Sequence, residues 1–455
     1  MSDMILRTSF GQTAQFRRAT ATMGRPAWTP FALFNAGQAG EWRDANPSRN
    51  FRDPSASVPP SLGIEIAHTR DVRGAAFGHD LQATLALRPI YGRHPRGGIR
   101  NRANGAASGS TTYWHNGTVT AGLTVTIVGY GIAADGEAFH DIRLAGTSNS
   151  NETRSLYREE FSRHRPASGV AYRSSATVQF LTAQAGVTIR LSILQPGSGI
   201  TTINSATTSA TTETPLGVTW TNANANFDIS TWFQAIFPVG VPVDVTIRVK
   251  GLQFEQGTAR TAYQANFGPF DITEPGVPDT PYRQGTLGGK LMLSSAPLDL
   301  SGQDTVSFWM VAEKFSDVDA FTMLAHGTPS TSGAVWLGKA ATNAQWTAFY
   351  RNPGATVAIS RGAAVAPQRA VLSGLITRGT GSVMRLFWNG LEVSPVTTEL
   401  TAPFLNAVVA RFARADGSQP FNGRIYEDAI RAGAFTDQQF ALLNSYLMTE
   451  YGVAA

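Results

Sequence analysis

Short runs in which apolar and polar residues alternate one by one fill most of the chain, and this period-two pattern constrains the fold more than any other feature. It is clear in GLTVTIVGYGIA, GVTIRLSILQPG and VPVDVTIRVKGLQF. Gly, Asn, Asp and Pro stand between the runs, where tight turns require them. Many short strands without intervening helices predict an all-β protein built from sandwiches.

Composition excludes several kinds of site. The 455 residues include no cysteine, which excludes disulfides, thiolate metal sites and thiol nucleophiles. The net charge is only +5 and Lys and Arg form no block, so we expect no nucleic-acid partner. The sequence has no run of about 18 apolar residues to cross a membrane, and its N-terminus has no apolar signal region. We therefore expect a protein that is made in a cytoplasm and not inserted in a membrane.

The chain is too long for one hydrophobic core, and its composition divides it into four parts. Residues 1–62 are predicted to form an irregular arm, because prolines break up any long element. Residues 63–272 are predicted to form a first β-sandwich. The segment TEPGVPDTPY, residues 273–282, contains three prolines and predicts an extended linker. Residues 283–455 are predicted to form a second β-sandwich.

One amphipathic helix is predicted near the C-terminus, in FTDQQFALLNSYLMTEYG. Thr436 is the expected N-cap, and Gln439 completes a capping box. Gly452 suits the position after the helix, where the backbone turns left-handed. Apolar residues at intervals of three and four form one stripe, which we expect to pack on the second sandwich: Phe440, Leu443, Leu447 and Tyr451.

Motifs for catalysis are missing from the sequence. It contains no GxSxG, HExxH, phosphate-binding or dinucleotide-binding pattern, and its seven histidines lack the spacing of a metal site. We therefore predict a protein without enzymatic activity and without a cofactor. In SDVDAF, Asp317 and Asp319 resemble the first half of a calcium loop, although the ligands that should follow are missing. A calcium site is one interpretation of this pair, and a loop without metal is the other.

Aromatic residues give the better functional signal. Sugar-binding sandwiches stack aromatic rings on the apolar faces of pyranose rings, and Tyr adds a polar group. Tyr113 and Trp114 lie in SGSTTYWHNGT, whose small polar residues indicate an exposed loop. Trp346 and Tyr350 are four residues apart in one predicted strand and therefore share a face. Both pairs are candidate carbohydrate-binding residues, and packing in the core is the alternative.

The arm contains one apolar cluster, FALFNAGQAGEW. Its candidate contact residues are Phe31, Leu33, Phe34 and Trp42. They could dock the arm on its own domain or attach it to a partner protein.

This cluster begins a resemblance that covers about half of the chain. With the residues Leu33, Phe34, Gly37, Gly40, Glu41 and Trp42, it is similar to a segment of the modular tail fibre, tail spike and head spike proteins of bacteriophages, prophages and phage-derived gene transfer agents. The Asp-Pro-Ser-like stretch that follows in those proteins departs here, as DANPS. Residues near each end of the second sandwich, in LMLSSAPLDLSGQDTVSFWMVAEKFSD and NGRIYEDAIRAGAFTDQQFALLNSYLMTEYG, resemble a concanavalin-A/laminin-G-like sandwich with its trailing helix.

The third stretch, VKGLQFEQGTARTAYQ, looks like the last strand and exit of the carbohydrate-binding-module-like jelly rolls of such proteins. A slip of the alternation at Gly251 predicts a β-bulge, and Gly257 allows a tight turn. Tyr263 is predicted to pack back on the sandwich and to hold the chain before it leaves. The matching residues are Gln253, Phe254, Glu255, Gly257, Ala259, Ala262, Tyr263 and Gln264.

The resemblance implies a structural and adhesive protein on the surface of a phage or phage-like particle. Its implied partners are other virion proteins and a host surface polysaccharide, and it implies a homotrimer assembled in the bacterial cytoplasm. Two alternatives remain open at this point: a connector or capsid decoration without a ligand, and a polysaccharide depolymerase.

Overall fold

The structure is a computed structural model. It describes residues 6–7, 13–14, 39–44, 68–70, 76–78, 89–114, 122–147, 153–158, 169–195, 201–221, 229–286, 290–294, 297–317, 319–339, 345–361 and 366–454. These residues form two compact units. One consists of residues 93–279, and the other combines residues 1–92 with residues 280–455. We call them the 93–279 unit and the discontinuous unit.

The described residues form 31 strands and one helix, as the alternation predicts for an all-β protein. The first seventeen strands are β1 Leu6–Arg7, β2 Thr13–Ala14, β3 Gly40–Asp44, β4 His68–Arg70, β5 Ala76–Gly78, β6 Ile90–Pro95, β7 Leu123–Ile132, β8 Ala138–Thr147, β9 Thr153–Arg158, β10 Ala171–Thr182, β11 Thr188–Gln195, β12 Thr201–Asn204, β13 Thr214–Thr221, β14 Ser230–Ile236, β15 Pro242–Gln256, β16 Ala265–Gly268 and β17 Asp271–Thr273. The remaining elements are β18 Asp279–Gly285, β19 Met292–Leu293, β20 Leu298–Asp299, β21 Thr305–Lys314, β22 Phe321–His326, β23 Val335–Lys339, β24 Trp346–Asn352, β25 Ala355–Arg361, β26 Gln368–Thr377, β27 Val383–Trp388, β28 Leu391–Glu392, β29 Asn406–Ala407, β30 Val409–Arg411, β31 Gly423–Ala432 and the helix α1 Asp437–Tyr451.

The 93–279 unit is a sandwich of two antiparallel sheets. One sheet has the order β13-β10-β15-β8-β7 and the other the order β12-β11-β14-β9. Alternate residues of both sheets meet in one core, which includes Val178, Leu191, Phe233, Val245 and Phe254. Each such side chain contributes about 1.5–3 kcal/mol on burial, so the period-two pattern fixes the register of every strand.

The discontinuous unit is a second sandwich. Its six-stranded sheet has the order β19-β30-β22-β23-β24-β25, and it faces a sheet in which β31, β21, β26, β27 and β28 lie side by side. Strand β21 is buried on both faces, as its sequence predicts. Phe308 points into the core between the sheets, whereas Trp309 packs under the helix on the outer face.

The helix α1 confirms its sequence signals. The Thr436 side chain accepts a hydrogen bond from the Gln439 amide, and the Gln439 side chain accepts one from the Thr436 amide. Gly452 is left-handed, with φ 63°. The predicted apolar stripe packs against Trp309, Val371 and Phe387 on the outer face of the sheet. The one helix that the described residues form, α1, is not long and apolar enough to span a membrane.

Strand β3 joins the arm to the sandwich within the discontinuous unit. Its residues pair antiparallel with Glu427–Arg431 of β31, and Trp42 lies opposite Ala429. The Ala432 amide donates a hydrogen bond to the Ala39 carbonyl at 2.8 Å. At residues 39–44 the arm is thus docked on the chain's own sandwich, the alternative that the sequence left open. The other candidate contact residues of the arm, Phe31, Leu33 and Phe34, lie outside the described residues.

The predicted linker, residues 273–282, contains the end of one strand, a turn and the start of another strand. Strand β17 extends to Thr273, a turn follows in which the Val277 amide donates to the Glu274 carbonyl at 3.1 Å, and β18 begins at Asp279. The Glu274 carboxylate also pairs with Arg100 at 2.7 Å. Hydrogen bonds and a charge pair therefore hold the segment that its prolines predict to be an extended spacer.

Candidate functional site

The closing pattern of β15 forms a buried polar clamp. Gln253, Glu255 and Gln264 are all buried. The Thr261 amide donates to Glu255 Oε1 at 3.0 Å, and the Gln264 amide donates to Gln253 Oε1 at 2.8 Å. These bonds fold the exit segment back on the strand it has left. Buried amides and carboxylates are retained where each polar atom has a partner, and this arrangement satisfies that condition.

Asn101 ties the same clamp to the loop of residues 98–114. Its side-chain amide donates to the carbonyls of Leu252 at 3.1 Å and Gln264 at 2.8 Å. Its Oδ1 accepts from the amides of Phe254 at 3.1 Å and Ala103 at 3.0 Å. A fully satisfied buried side chain fixes its surroundings strongly. The loop is therefore held against the end of β15.

Two further predictions for this stretch are confirmed. The pairing of β10 with β15 shifts between Ser175 and Thr177, and Gly251 there has φ 61°, which makes it the residue of a β-bulge. Tyr263 packs back on the small cluster around Ala107 and Ala138.

The clamped loop places two of the predicted aromatic residues. Trp114 is buried in the core of the unit, where its ring stacks on His140 with centroids 4.2 Å apart and an interplanar angle of 25°. It also packs at 5.1 Å on Tyr157. Tyr113 is half-buried over Gly105, where an added Cβ would lie 2.2 Å from its ring. The core alternative thus describes Trp114, and no ring face of this residue is open to a ligand.

The exposed ring at this place belongs to Tyr130, which the sequence reasoning missed. Its side chain is 65% exposed, and Val128 and Ile132 on the same strand are each 54% exposed. We call these three residues of β7 the platform. One signal in the sequence was available: Tyr130 stands between two glycines in an apolar run, which leaves its ring without large neighbours along the strand.

The loop supports the platform from beneath. An added Cβ at Gly109 would lie 2.7 Å from the Tyr130 ring, so the ring rests on the glycine. The Tyr130 and His140 rings are nearly parallel, with centroids 6.4 Å apart and an interplanar angle of 18°. Tyr130, His140 and Trp114 therefore form one ring stack from the surface to the core. Aromatic pairs are favourable at such separations.

Polar groups lie on the other face of the same strand. A Cβ at Gly129 would be 3.1 Å from Asp141 Oδ2, and one at Gly131 would be 3.2 Å from the Phe139 ring. Arg248 donates two hydrogen bonds to Asp141, at 2.7 and 2.8 Å, and its guanidinium lies 4.3 Å from the centroid of the Phe139 ring. These groups can bond hydroxyls of a ligand that reaches over the strand.

Charges on this sheet face are paired. Lys250 Nζ contacts Asp135 at 2.8 Å and Glu213 at 2.9 Å, and the hydrogen bonds to these carboxylates raise the pKa of the lysine. Arg143 and Asp244 form a second pair at 2.8 Å. The face therefore offers many hydrogen-bonding groups with little net charge.

Trp346 and Tyr350 share a face of β24, as their spacing predicts, but that face is the core. Both side chains are completely buried. Trp346 Nε1 donates to Gln368 Oε1 at 2.7 Å, and the Tyr350 hydroxyl donates to the Ala402 carbonyl. The carbohydrate-binding interpretation of this pair is replaced by core packing, because a ring without an open face cannot stack on a sugar.

Lysines occupy the oxygens of the loop at Asp317 and Asp319. Asp317 Oδ1 accepts from Lys314 Nζ at 2.5 Å. Lys339 Nζ donates to the carbonyls of Asp317 at 2.8 Å and Asp319 at 3.1 Å. Two ammonium groups thus lie on one carboxylate oxygen of Asp317 and on the backbone carbonyls of both aspartates, where a cation would be repelled. Among the described residues, no three His, Asp or Glu side chains come together as a metal site would need.

The comparisons with known proteins give only local similarities. No protein-family model matches the sequence, and no curated protein matches it. The CBM40 of a Ruminococcus gnavus IT-sialidase, solved with α2,6-sialyllactose, overlaps with 31% of this chain and 85% of its own, at 14% identity and a TM-score of 0.26. The binding domain of botulinum neurotoxin DC in complex with SialylT overlaps with 39% of this chain and 42% of its own, at 13% identity and a TM-score of 0.29. For the botulinum neurotoxin serotype D binding domain the shares are 37% and 42%, at 8% identity and a TM-score of 0.31. This chain therefore spans less than half the length of both neurotoxin chains.

Proposed function

We propose that this chain is a glycan-binding adhesive protein and that the Tyr130 platform is where the glycan stacks. The exposed Tyr130 ring, backed by His140 and Trp114, is the observation that carries the proposal. A ring already held in place loses little conformational entropy when a ligand binds. Its open face suits the C–H face of a pyranose ring, and its hydroxyl adds a polar contact.

The polar groups on the other face of β7 complete the proposed site. Asp141 and Arg248 present a carboxylate and a guanidinium in fixed geometry, and both are suited to hydroxyl groups. Since the charges of this sheet face are paired, we expect a preference for neutral sugars over strongly anionic ones.

The proposed setting is the surface of a phage or phage-like particle, with assembly in the bacterial cytoplasm. The resemblance of three stretches to fibre and spike proteins supports this setting. In a homotrimer, sites that are weak individually would act together, because binding of one places the others at high effective concentration. The proposed role is attachment to host surface polysaccharide without enzymatic cleavage.

A glycan array probed with the purified chain tests the proposal. We expect binding by the wild type, and at least about 10-fold weaker binding, or about 1.4 kcal/mol, after Tyr130→Ala. Tyr130→Phe keeps the ring and should retain most of the affinity. Leu391→Ala removes a comparably exposed apolar side chain from the discontinuous unit and serves as the control.

Other outcomes of this experiment favour other functions. If no bacterial glycan binds, the chain is better described as a connector or decoration protein without a ligand. Release of new reducing ends from a bound polysaccharide would instead show a depolymerase. Equal binding by the wild type and Tyr130→Ala would refute the platform as the site.

A further inference from the structure

We propose that His140 is a positioning residue, which keeps residues 108–114 of the loop and the Tyr130 ring in place only while its imidazole is uncharged. One consequence, that acid weakens glycan binding, rests on the proposed function. The opening of the loop itself does not depend on any ligand.

His140 connects the platform to the loop by two kinds of contact. Its ring lies between those of Trp114 and Tyr130. Its Nε2 lies 2.8 Å from the carbonyl oxygen of Ser108, one residue before the glycine on which Tyr130 rests. Because a carbonyl only accepts, Nε2 carries the proton in the neutral ring and Nδ1 does not.

A proton on Nδ1 has no partner among the described residues. His140 is 1% exposed, and within the part of the chain that the structure describes its Nδ1 has no hydrogen-bond partner. The Nε1 of Trp114, in the neighbouring ring, is also buried without a partner in the described ranges, and it can only donate. A charged imidazole would therefore bury both an unpaired N–H and a positive charge, which strongly disfavours the closed loop.

The groups around His140 do not compensate for that charge. Asp141 is adjacent on β8 and its field favours protonation, but it lies on the opposite face and pairs with Arg248. Among the described residues, the group that faces His140 from β7 is the Tyr130 side chain, and behind Trp114 it is that of Tyr157. Neither of them is a carboxylate that could offset a positive charge. Burial consequently outweighs Asp141 and lowers the pKa of His140 to about 4.

The direction of the pH effect follows from this shift. In the open form of the loop His140 has its ordinary pKa near 6.5, so between about pH 6.5 and pH 4 it is protonated there and neutral in the closed form. The closed loop therefore binds fewer protons than the open loop in this range. Closure is thus fully favoured above pH 6.5 and is lost as the pH falls toward 4. Within that window, each pH unit multiplies the equilibrium for opening about 10-fold.

Hydrogen exchange of the intact chain tests the proposal without a ligand. After correction for intrinsic rates, we expect protection of the amides in residues 108–114 to fall at least about 10-fold between pH 7 and pH 4.5. His140→Phe keeps a ring in the stack and removes the titration, so its protection should be independent of pH in this range. His326→Phe is the control, because His326 is buried in the discontinuous unit and its Nε2 also lies 2.8 Å from a carbonyl, that of Leu298.

Two further measurements keep the proposal falsifiable if His140→Phe folds poorly. An NMR titration of wild-type His140 should give a pKa well below 6.5, and a value near 6.5 with the loop still protected would overturn the proposal. An identical pH dependence of exchange in the wild type and His140→Phe would also overturn it. Where a glycan has been identified, its binding should weaken between pH 7 and pH 4.5 in the wild type and not in His140→Phe. If no glycan binds, the exchange result still decides whether His140 controls the loop.

Discussion

Two glycines of the 93–279 unit leave room for aromatic rings that pack directly over them. Gly105 leaves room for the Tyr113 ring, and Gly109 leaves room for the Tyr130 ring. Gly105 is left-handed, with φ 68°, so a side chain there would strain the backbone as well. At Gly109 the backbone is ordinary, and only the contact with the ring opposes a side chain.

Gly109→Ala should therefore act on binding rather than on folding. The added methyl group would lie 2.7 Å from the ring, and the exposed Tyr130 side chain can turn away from it. We expect glycan affinity to fall several-fold and the melting temperature to change little. Gly97→Ala, in the segment before the loop, adds a methyl group with nothing within 4 Å and is the matched control. If Gly109→Ala bound like Gly97→Ala, the position of the Tyr130 ring would not matter for the ligand.

At the scale of residues, the sequence identified candidate aromatic residues but did not predict which of them are exposed. The small polar residues around Tyr113 and Trp114 indicated an exposed loop, yet the loop folds over the sheet and buries Trp114. Burial depends on which distant strand covers a residue, and one sequence does not contain that information locally. Tyr130 is exposed for the same reason: β7 is at the edge of its sheet.

At the scale of elements, local signals were reliable. The capping box of α1 and the bulge at Gly251 involve neighbours in sequence, and both are present as predicted. The pairing of β3 with β31 joins residues nearly 390 positions apart. Nothing in either segment specifies the other, so the sequence predicted an irregular arm and left open whether its apolar cluster docks on its own domain or on a partner. The same holds for the linker, whose partner Arg100 lies far away in the chain.

The bulge provides a stability test with an internal control. Gly251→Ala places a methyl group in a left-handed backbone and 2.2 Å from Glu137 Oε2. Gly240→Ala has a similar φ of 70° and nothing within 4 Å, so it shows the backbone effect alone. A non-glycine residue in this conformation costs about 1–2 kcal/mol. We expect denaturant unfolding to show a clearly larger loss of stability for Gly251→Ala than for Gly240→Ala. Equal losses would mean that the ion pair of Glu137 and Arg260 moves aside without a cost in stability.

At the scale of the whole molecule, each unit has its own hydrophobic core. All residues of the Leu191 core belong to the 93–279 unit, and those of the Phe308 core belong to the discontinuous unit. A continuous segment with its own core should fold alone. We therefore expect residues 93–279, expressed as a fragment, to unfold cooperatively and to show a near-ultraviolet dichroism spectrum of packed aromatic rings. A fragment without such a spectrum would show that this core needs the rest of the chain.

Calorimetry with one glycan and two proteins tests most directly whether the site lies at Tyr130. The strongest ligand from the array would be titrated into the intact chain and into the fragment of residues 93–279, each with and without Tyr130→Ala. The structure predicts equal affinities per site for the chain and the fragment, within a factor of about 2, and loss of binding in both when Tyr130 is replaced. Binding that the fragment lacks, or that survives Tyr130→Ala, would contradict the assignment and place the ligand elsewhere in the chain.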